Sequence, residues 1–216
     1  MKNVRVLDCT LRDGGRIINC AFSDQEAKEI SQRLADAKID IIEIGFLRDW
    51  RKVAYKGNST FFTDVDQMRA FVNKSRKNTL YTAFIDFGMC DIDSLKPYDG
   101  TSIDAIRFGF TKKNYAEQKD EVIRWIEVIK ERGYKLFIQG VNSLNYSDRE
   151  LLEIVDMVNS VHPYSFGIVD TYGAMYMDDV DRLYGLIDHN MDSDICINFH
   201  SHNNYQLSFA FAQEVI

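Results

Sequence analysis

Ile195-Cys196-Ile197-Asn198-Phe199-His200-Ser201-His202 begins as an apolar run and ends in two histidines separated by one residue. The run reads as a buried strand. Side chains on a strand alternate between its faces, so His200 and His202 point the same way, one repeat apart. Six more apolar runs of similar length precede it, at 4–9, 41–46, 79–85, 105–110, 135–141 and 164–169. Each is followed closely by polar residues.

Between these runs lie amphipathic stretches with recognisable starts. Ser23-Asp24-Gln25-Glu26 is a capping box, followed by Ala27, Ile30, Leu34 and Ala37 at helical spacing. Ser147-Asp148-Arg149-Glu150 is a second box, followed by Leu151, Ile154, Val155 and Val158. Val122, Trp125, Ile126 and Ile129 stripe a third helix that should stop near Gly133. Met68, Phe71 and Val72 supply a fourth apolar face. These stripes are core positions.

Alternating β and α units predict a parallel sheet with helices outside it. Doubly wound sheets and (β/α)8 barrels both fit that alternation. The polar residues choose between them, because they gather after many strand ends: Arg12 and Asp13, Arg48 and Asp49, Asp86, Asn142, Asp170 and Thr171, His200 and His202. A barrel distributes its site in this way, whereas a nucleotide fold concentrates it at one glycine-rich turn. No GxGxxG or P-loop is present, and Gly14-Gly15 alone is a weak phosphate signal. The expected fold is therefore α/β, a TIM (β/α)8-type barrel forming one domain over 1–216. Seven βα units are present, and the eighth strand and helix are expected beyond Ile216 in a longer native chain. A barrel without its last unit leaves a parallel edge to cover, and a homodimer is one way to cover it.

The 216 residues are 45% hydrophobic and carry a net charge of −7. That is enough apolar content for a real core, and the wrong sign for nucleic acid or an anionic membrane as default partner. Cys9, Cys20, Cys90 and Cys196 show no CxxC spacing. Cys9 and Cys196 fall inside predicted strands, where a thiol acts as a small buried hydrophobe. A reducing cytoplasm is the expected setting. No long apolar stretch suggests a membrane span or a secretion signal.

Asp13 could add a hard oxygen ligand to the two imidazoles of His200 and His202. Two nitrogens, one carboxylate and open positions describe a catalytic metal site better than a structural one. Plainer roles exist for each residue. Asp13 could cap a turn before Gly14-Gly15, the histidines could be structural, Arg12 and Glu43 could be an ion pair only, and Asp170 could cap a strand end. Asp8 shares the parity of Arg12 and needs a partner if it faces inward. His162 and His189 read as surface residues. Trp50 and Tyr55 follow the second strand, as mouth-lining residues or as part of a packed loop.

Four segments in order carry a family resemblance: Leu7-Asp8-Cys9-Thr10-Leu11-Arg12-Asp13-Gly14, Ile42-Glu43-Ile44-Gly45-Phe46, Asp170-Thr171-Tyr172-Gly173-Ala174, and Phe199-His200-Ser201-His202-Asn203-Asn204. They resemble the DRE-TIM metallolyases, which include hydroxymethylglutaryl-CoA lyase, isopropylmalate and homocitrate synthases, and the hydroxy-oxovalerate aldolases. The aldolase branch matches best, through the Asp-Thr-x-Gly-Ala and His-x-His-Asn-Asn segments. The resemblance implies a divalent metal, magnesium or manganese and in some relatives zinc, on Asp13, His200 and His202. It implies Arg12 as the catalytic arginine, Glu43 as the acid that orients it, and Thr171 as a ligand of an α-keto acid's carboxylate.

One departure stands out. Synthases of this group commonly have Glu-Gln after Arg-Asp-Gly, and its aldolases have a histidine close behind that moves protons. Here the positions read Gly15 and Arg16. Tyr172, Arg107, Asn142 or a metal-bound water could substitute, with Arg107 and Asn142 also candidate substrate ligands. Arg16 adds positive charge and suggests an anionic second substrate. The expected activity is metal-dependent aldol cleavage or addition on an α-keto acid such as pyruvate. The alternatives are a Claisen-type synthase of the isopropylmalate synthase type, and a non-catalytic module that binds a metal and a metabolite.

Overall fold

The structure is a computed structural model that describes residues 4–52 and 59–216. Tyr55 lies outside the described residues. The strands are β1 (Leu7–Asp8), β2 (Ile41–Leu47), β3 (Phe61–Phe62), β4 (Leu80–Asp86), β5 (Ala105–Thr111), β6 (Lys135–Val141), β7 (Ser165–Asp170) and β8 (Cys196–Ser201). Helices α1 (Asp24–Asp36), α2 (Lys112–Glu131), α3 (Asp148–Val161), α4 (Met177–Asn190) and α5 (Ser208–Glu214) alternate with them. The strand order β1-β2-β4-β5-β6-β7-β8 is the chain order, with β3 attached to β2. An order that never reverses belongs to the (β/α)8-barrel class, whereas doubly wound sheets reverse at a switch point.

The chain divides into two compact units. In the first, 3–108 with 127–135, β2 pairs in parallel with both β1 and β4 and is buried along its whole length. Ile42, Ile44, Tyr81, Ala83 and Ile85 form its core with Ala27 and Met68. In the second, 109–126 with 136–216, β6, β7 and β8 pair in parallel, and Leu151, Ile154, Val158, Leu183 and Ile187 supply the helical side of the core. Both predicted capping boxes form. Ser23 and Ser147 each accept from the backbone N–H three residues on, and Glu26 and Glu150 each accept from the cap residue's own N–H.

Several expectations are corrected. The first strand is two residues long rather than six, since Val4 and Val6 are 50% and 55% exposed. The fourth apolar face is not an α-helix but a 3-10 segment, Val65–Phe71, whose buried residues Val65, Met68 and Phe71 recur every third position. That is the period of a 3-10 turn. The third helix starts earlier than its apolar stripe and is interrupted at Gln118 (φ −140°, ψ 40°). In the run at 195–200 Ile195 is buried, but Cys196 is exposed and the residues after it are half-buried, because β8 is last in the strand order and among the described residues pairs only with β7. Cys9 is partly buried, while Cys20 and Cys90 are the thiols in the core.

Candidate active site

In the first unit, the turn after β1 is drawn tight around one carbonyl. The oxygen of Cys9 accepts from the backbone N–H of Arg12 (3.1 Å), Asp13 (2.8 Å) and Gly14 (3.1 Å). This presents Arg12 and Asp13 at the C-terminal end of the strand. Asp8 has its partner locally, since its carboxylate accepts from the Thr10 backbone (2.9 Å) and hydroxyl (3.0 Å). Asp13 makes no side-chain cap to the segment that follows. Its Oδ1 instead accepts from Arg12 (2.9 Å) and Arg16 Nε (2.8 Å).

Glu43 is fully buried on β2 and is held by two guanidinium groups, Arg12 Nε on Oε1 and Arg107 Nη1 on Oε2 at 2.6 Å. Burial opposes its charge, but Arg107 and Arg12 outweigh that and hold its carboxyl below the usual carboxylate range. Burial would likewise lower the Arg12 pKa, and the negative groups around it, Glu43 first and then Cys9 and Asp13, together reverse this, so Arg12 stays charged. Cys9 lies against the same group, 3.4 Å from Arg107 Nη1. Burial, then the charge of Glu43, pushes its thiol up to about 12. Arg107, expected on the substrate, is 2% exposed and directs Nη1 at Glu43.

Phe46 brings an aromatic surface to this end of the unit. Its ring meets Phe61 and Phe84 edge-on at 5.2 Å and 6.0 Å. The guanidinium of Arg48 lies 4.0 Å from its centroid, that of Arg16 5.2 Å and that of Arg12 5.6 Å. Arg48 also pairs with Asp86 at 2.5 Å. The strand pattern placed Arg48 and Asp86 at strand ends but gave no role to Phe46. The available signal was Gly45, since a glycine inside a strand marks a bulge or a close backbone approach. Trp50, considered for the mouth, is 67% exposed.

In the second unit, His200 lies on β8 and His202 just past its end, with ring centroids 4.9 Å apart. The Nδ1 of His202 lies 2.7 Å from the backbone oxygen of Asp170. A carbonyl only accepts, so Nδ1 is the donor, and in the neutral ring Nε2 is then the nitrogen with the lone pair. Metal-binding imidazoles are commonly oriented this way, so the donor chemistry fits a cation. Asp170 is the expected strand-end cap, with Oδ1 accepting from the N–H of Ala174 (2.9 Å) and Met175 (3.4 Å). The Thr171 hydroxyl accepts from the backbone N–H of Asn142 (2.8 Å), a residue in the left-handed region at φ 60°. Tyr172 is 66% exposed. His162 is exposed against Asp194, and His189 lies in the last turn of α4 with Nδ1 2.6 Å from the Gly185 carbonyl.

A tight turn presenting Arg-Asp after β1, a buried glutamate on β2 and a His-x-His at the end of β8 are the marks of one class of barrel. The chain belongs to the HMGL-like family, whose model matches residues 3–214. It is 23% identical over 98% of its length to a mitochondrial homocitrate synthase of Saccharomyces cerevisiae, covering 47% of that protein. It is 22% identical over 95% of its length to 4-hydroxy-2-oxovalerate aldolase 2 of Salinispora arenicola, covering 57% of that protein. The chain thus spans about half the length of these curated relatives. Among solved structures, hydroxymethylglutaryl-CoA lyase from Pseudomonas aeruginosa superimposes with a TM-score of 0.74 at 14% identity, over 98% of this chain and 72% of that one. Among the described residues no helix is long and apolar enough to cross a membrane.

Proposed function

We propose that the chain is the catalytic barrel of a divalent-metal-dependent carbon–carbon lyase of the aldolase type, acting on an α-keto acid such as pyruvate. The observation that carries this reading is Glu43, fully buried and bound on each oxygen by a different arginine. A buried carboxylate between two guanidinium groups fixes the plane of Arg12 and keeps its charge beside Asp13. Asp13, His200 and His202 each offer one ligand atom and are assigned as the metal ligands. A divalent cation there, magnesium or manganese by family habit, supplies Lewis acidity toward the keto oxygen.

The chain's own residues do the rest. In cleavage of a 4-hydroxy-2-oxo acid, the hydroxyl loses its proton, the bond between carbons 3 and 4 breaks and an aldehyde leaves. The electron pair passes to the enolate of the keto acid, which then takes a proton at carbon 3. Arg12 offers a permanent positive charge to the oxygen that becomes anionic. Glu43 and Arg107 position it, and Thr171 and Asn142 receive the keto acid's carboxylate. Homocitrate synthase among the relatives keeps a Claisen-type condensation as the second reading.

The test is exchange of pyruvate methyl protons in deuterated water, followed by NMR with added magnesium or manganese, beside a His202→Ala variant. Cation-dependent exchange that disappears in the variant supports the aldolase, because the synthases never use the keto acid as nucleophile. Absent exchange with retained cation binding turns the reading toward the synthase or toward a binding module.

A further inference from the structure

We infer that Arg16 and Arg48, gathered at Phe46, form an anion site for the second substrate, which is a short aldehyde ending in a phosphate or carboxylate. This rests on the aldolase reading and adds the substrate class to it.

Three guanidinium groups lie within 5.6 Å of the Phe46 centroid. Asp13, Glu43 and Asp86 are the carboxylates that lie against these groups and against Arg107. Glu43 is divided between Arg12 and Arg107, and Asp13 between Arg12 and Arg16. A cation on Asp13 would draw that carboxylate's charge away from Arg16. Arg16 would then hold an exposed positive charge beside the reacting centre. Its side chain is 56% exposed, and only its Nε is hydrogen-bonded among the described residues, which leaves the terminal nitrogens for a ligand.

Arg48 points to the same ligand independently. Its side chain is 15% exposed, and its Nε is buried with no hydrogen-bond partner among the described residues. A buried N–H of a charged group left unpaired is costly, and an anion would satisfy it. Both guanidinium groups lie against one ring, Arg48 at 4.0 Å and Arg16 at 5.2 Å from its centroid, and the proposed phosphate or carboxylate is the ligand they share. Planar guanidinium forks bind those two groups well. Arg16 bonds the Asp13 carboxylate directly, so an anion there lies only a few atoms from the aldehyde carbon. In the addition direction, carbon 3 of the pyruvate enolate bonds to that carbon, and the aldehyde oxygen takes a proton.

The experiment compares kcat/KM for pyruvate addition to matched aldehydes: glyceraldehyde 3-phosphate against glyceraldehyde, and succinic semialdehyde against butanal. The site predicts at least a tenfold preference for the charged member of one pair, and that pair identifies phosphate or carboxylate. Arg16→Gln and Arg48→Met should each cut the preference ratio about tenfold, through KM for the charged aldehyde. Equal use of charged and neutral members by the wild type, or an unchanged ratio in Arg16→Gln, overturns the inference. Should pyruvate exchange itself be absent, calorimetric titration with glycerol 3-phosphate and with succinate tests the anion site alone. Saturable binding lost in Arg16→Gln upholds it, and no binding refutes it.

Discussion

Glu43 and Phe46 are three residues apart on β2, yet both meet the guanidinium of Arg12. On a regular strand they would face opposite ways. They share a face because β2 carries one extra residue: Glu43 pairs with Thr82 and Phe46 with Phe84, so three steps on β2 match two on β4. Gly45 sits inside the bulge at φ +154°, and a Cβ there would lie 2.2 Å from the Thr60 carbonyl. Gly45→Ala should therefore destabilise the protein by about 3 kcal/mol, as strain at special backbone positions does. Thermal denaturation should register this as a fall of roughly 6–12 °C for a chain of this size.

Glu43→Gln should cost about 3–5 kcal/mol at neutral pH, the usual penalty for removing one partner of a buried charge cluster. The pH dependence has a definite sign. The folded pKa of Glu43 is depressed, so its stabilisation is present above the unfolded value of about 4.3 and is lost as pH falls through the folded value. Denaturant midpoints of wild type and variant should differ most above that pH and converge in acid.

Thiol reactivity should divide the four cysteines. Burial pushes Cys90 up to about 12, as burial and Glu43 do for Cys9, and burial also raises Cys20. Cys196 is exposed. Iodoacetamide at pH 8 on the native protein should modify Cys196 first, with the other three labelled only on unfolding, as read by mass spectrometry.

Cation affinity should depend on both His200 and His202. Titration with manganese followed by electron spin resonance should show weakening of at least tenfold in His202→Ala. Asp170→Asn, which keeps the backbone carbonyl that holds His202, should change it far less. Equal loss in both variants would assign the histidines a structural role.

Ser147→Ala is the counterpart far from the chemistry. Removing the cap of α3 should cost about 1 kcal/mol, seen as a fall of roughly 2–4 °C in Tm.

The parts legible in the sequence are those set by local patterns. Strands β2 and β4 to β7 fall within a residue or two of the apolar runs, and both serine boxes form. Asp13, His200 and His202, the proposed metal ligands, were singled out by residue type and strand-end position, and each offers one ligand atom. Features fixed by distant partners were not. Nothing local tells that Val65, Met68 and Phe71 wind as a 3-10 turn instead of an α-helix, or that Phe61 and Phe62 form a strand. The place of Phe46 depends on an extra residue at Gly45, which reverses the alternation every pattern reading assumes. Cys196 read as core because its neighbours are apolar, but exposure depends on how many strands flank β8.

The two-residue strand β3 has a consequence for solubility. Phe46 pairs with Phe84 of β4 on one side, so its pairing with Phe61 occupies the other, the side on which β1 reaches only Ile41 and Ile42. Without β3, the upper half of β2 would present free N–H and C=O groups beside a row of phenyl rings. Such an edge is a template on which another molecule's strand can add, and aggregation begins that way. The chain folds a piece of its own loop back over that edge, so a polar-to-proline change at Thr60 or a deletion near Phe61 should be felt first as loss of soluble protein.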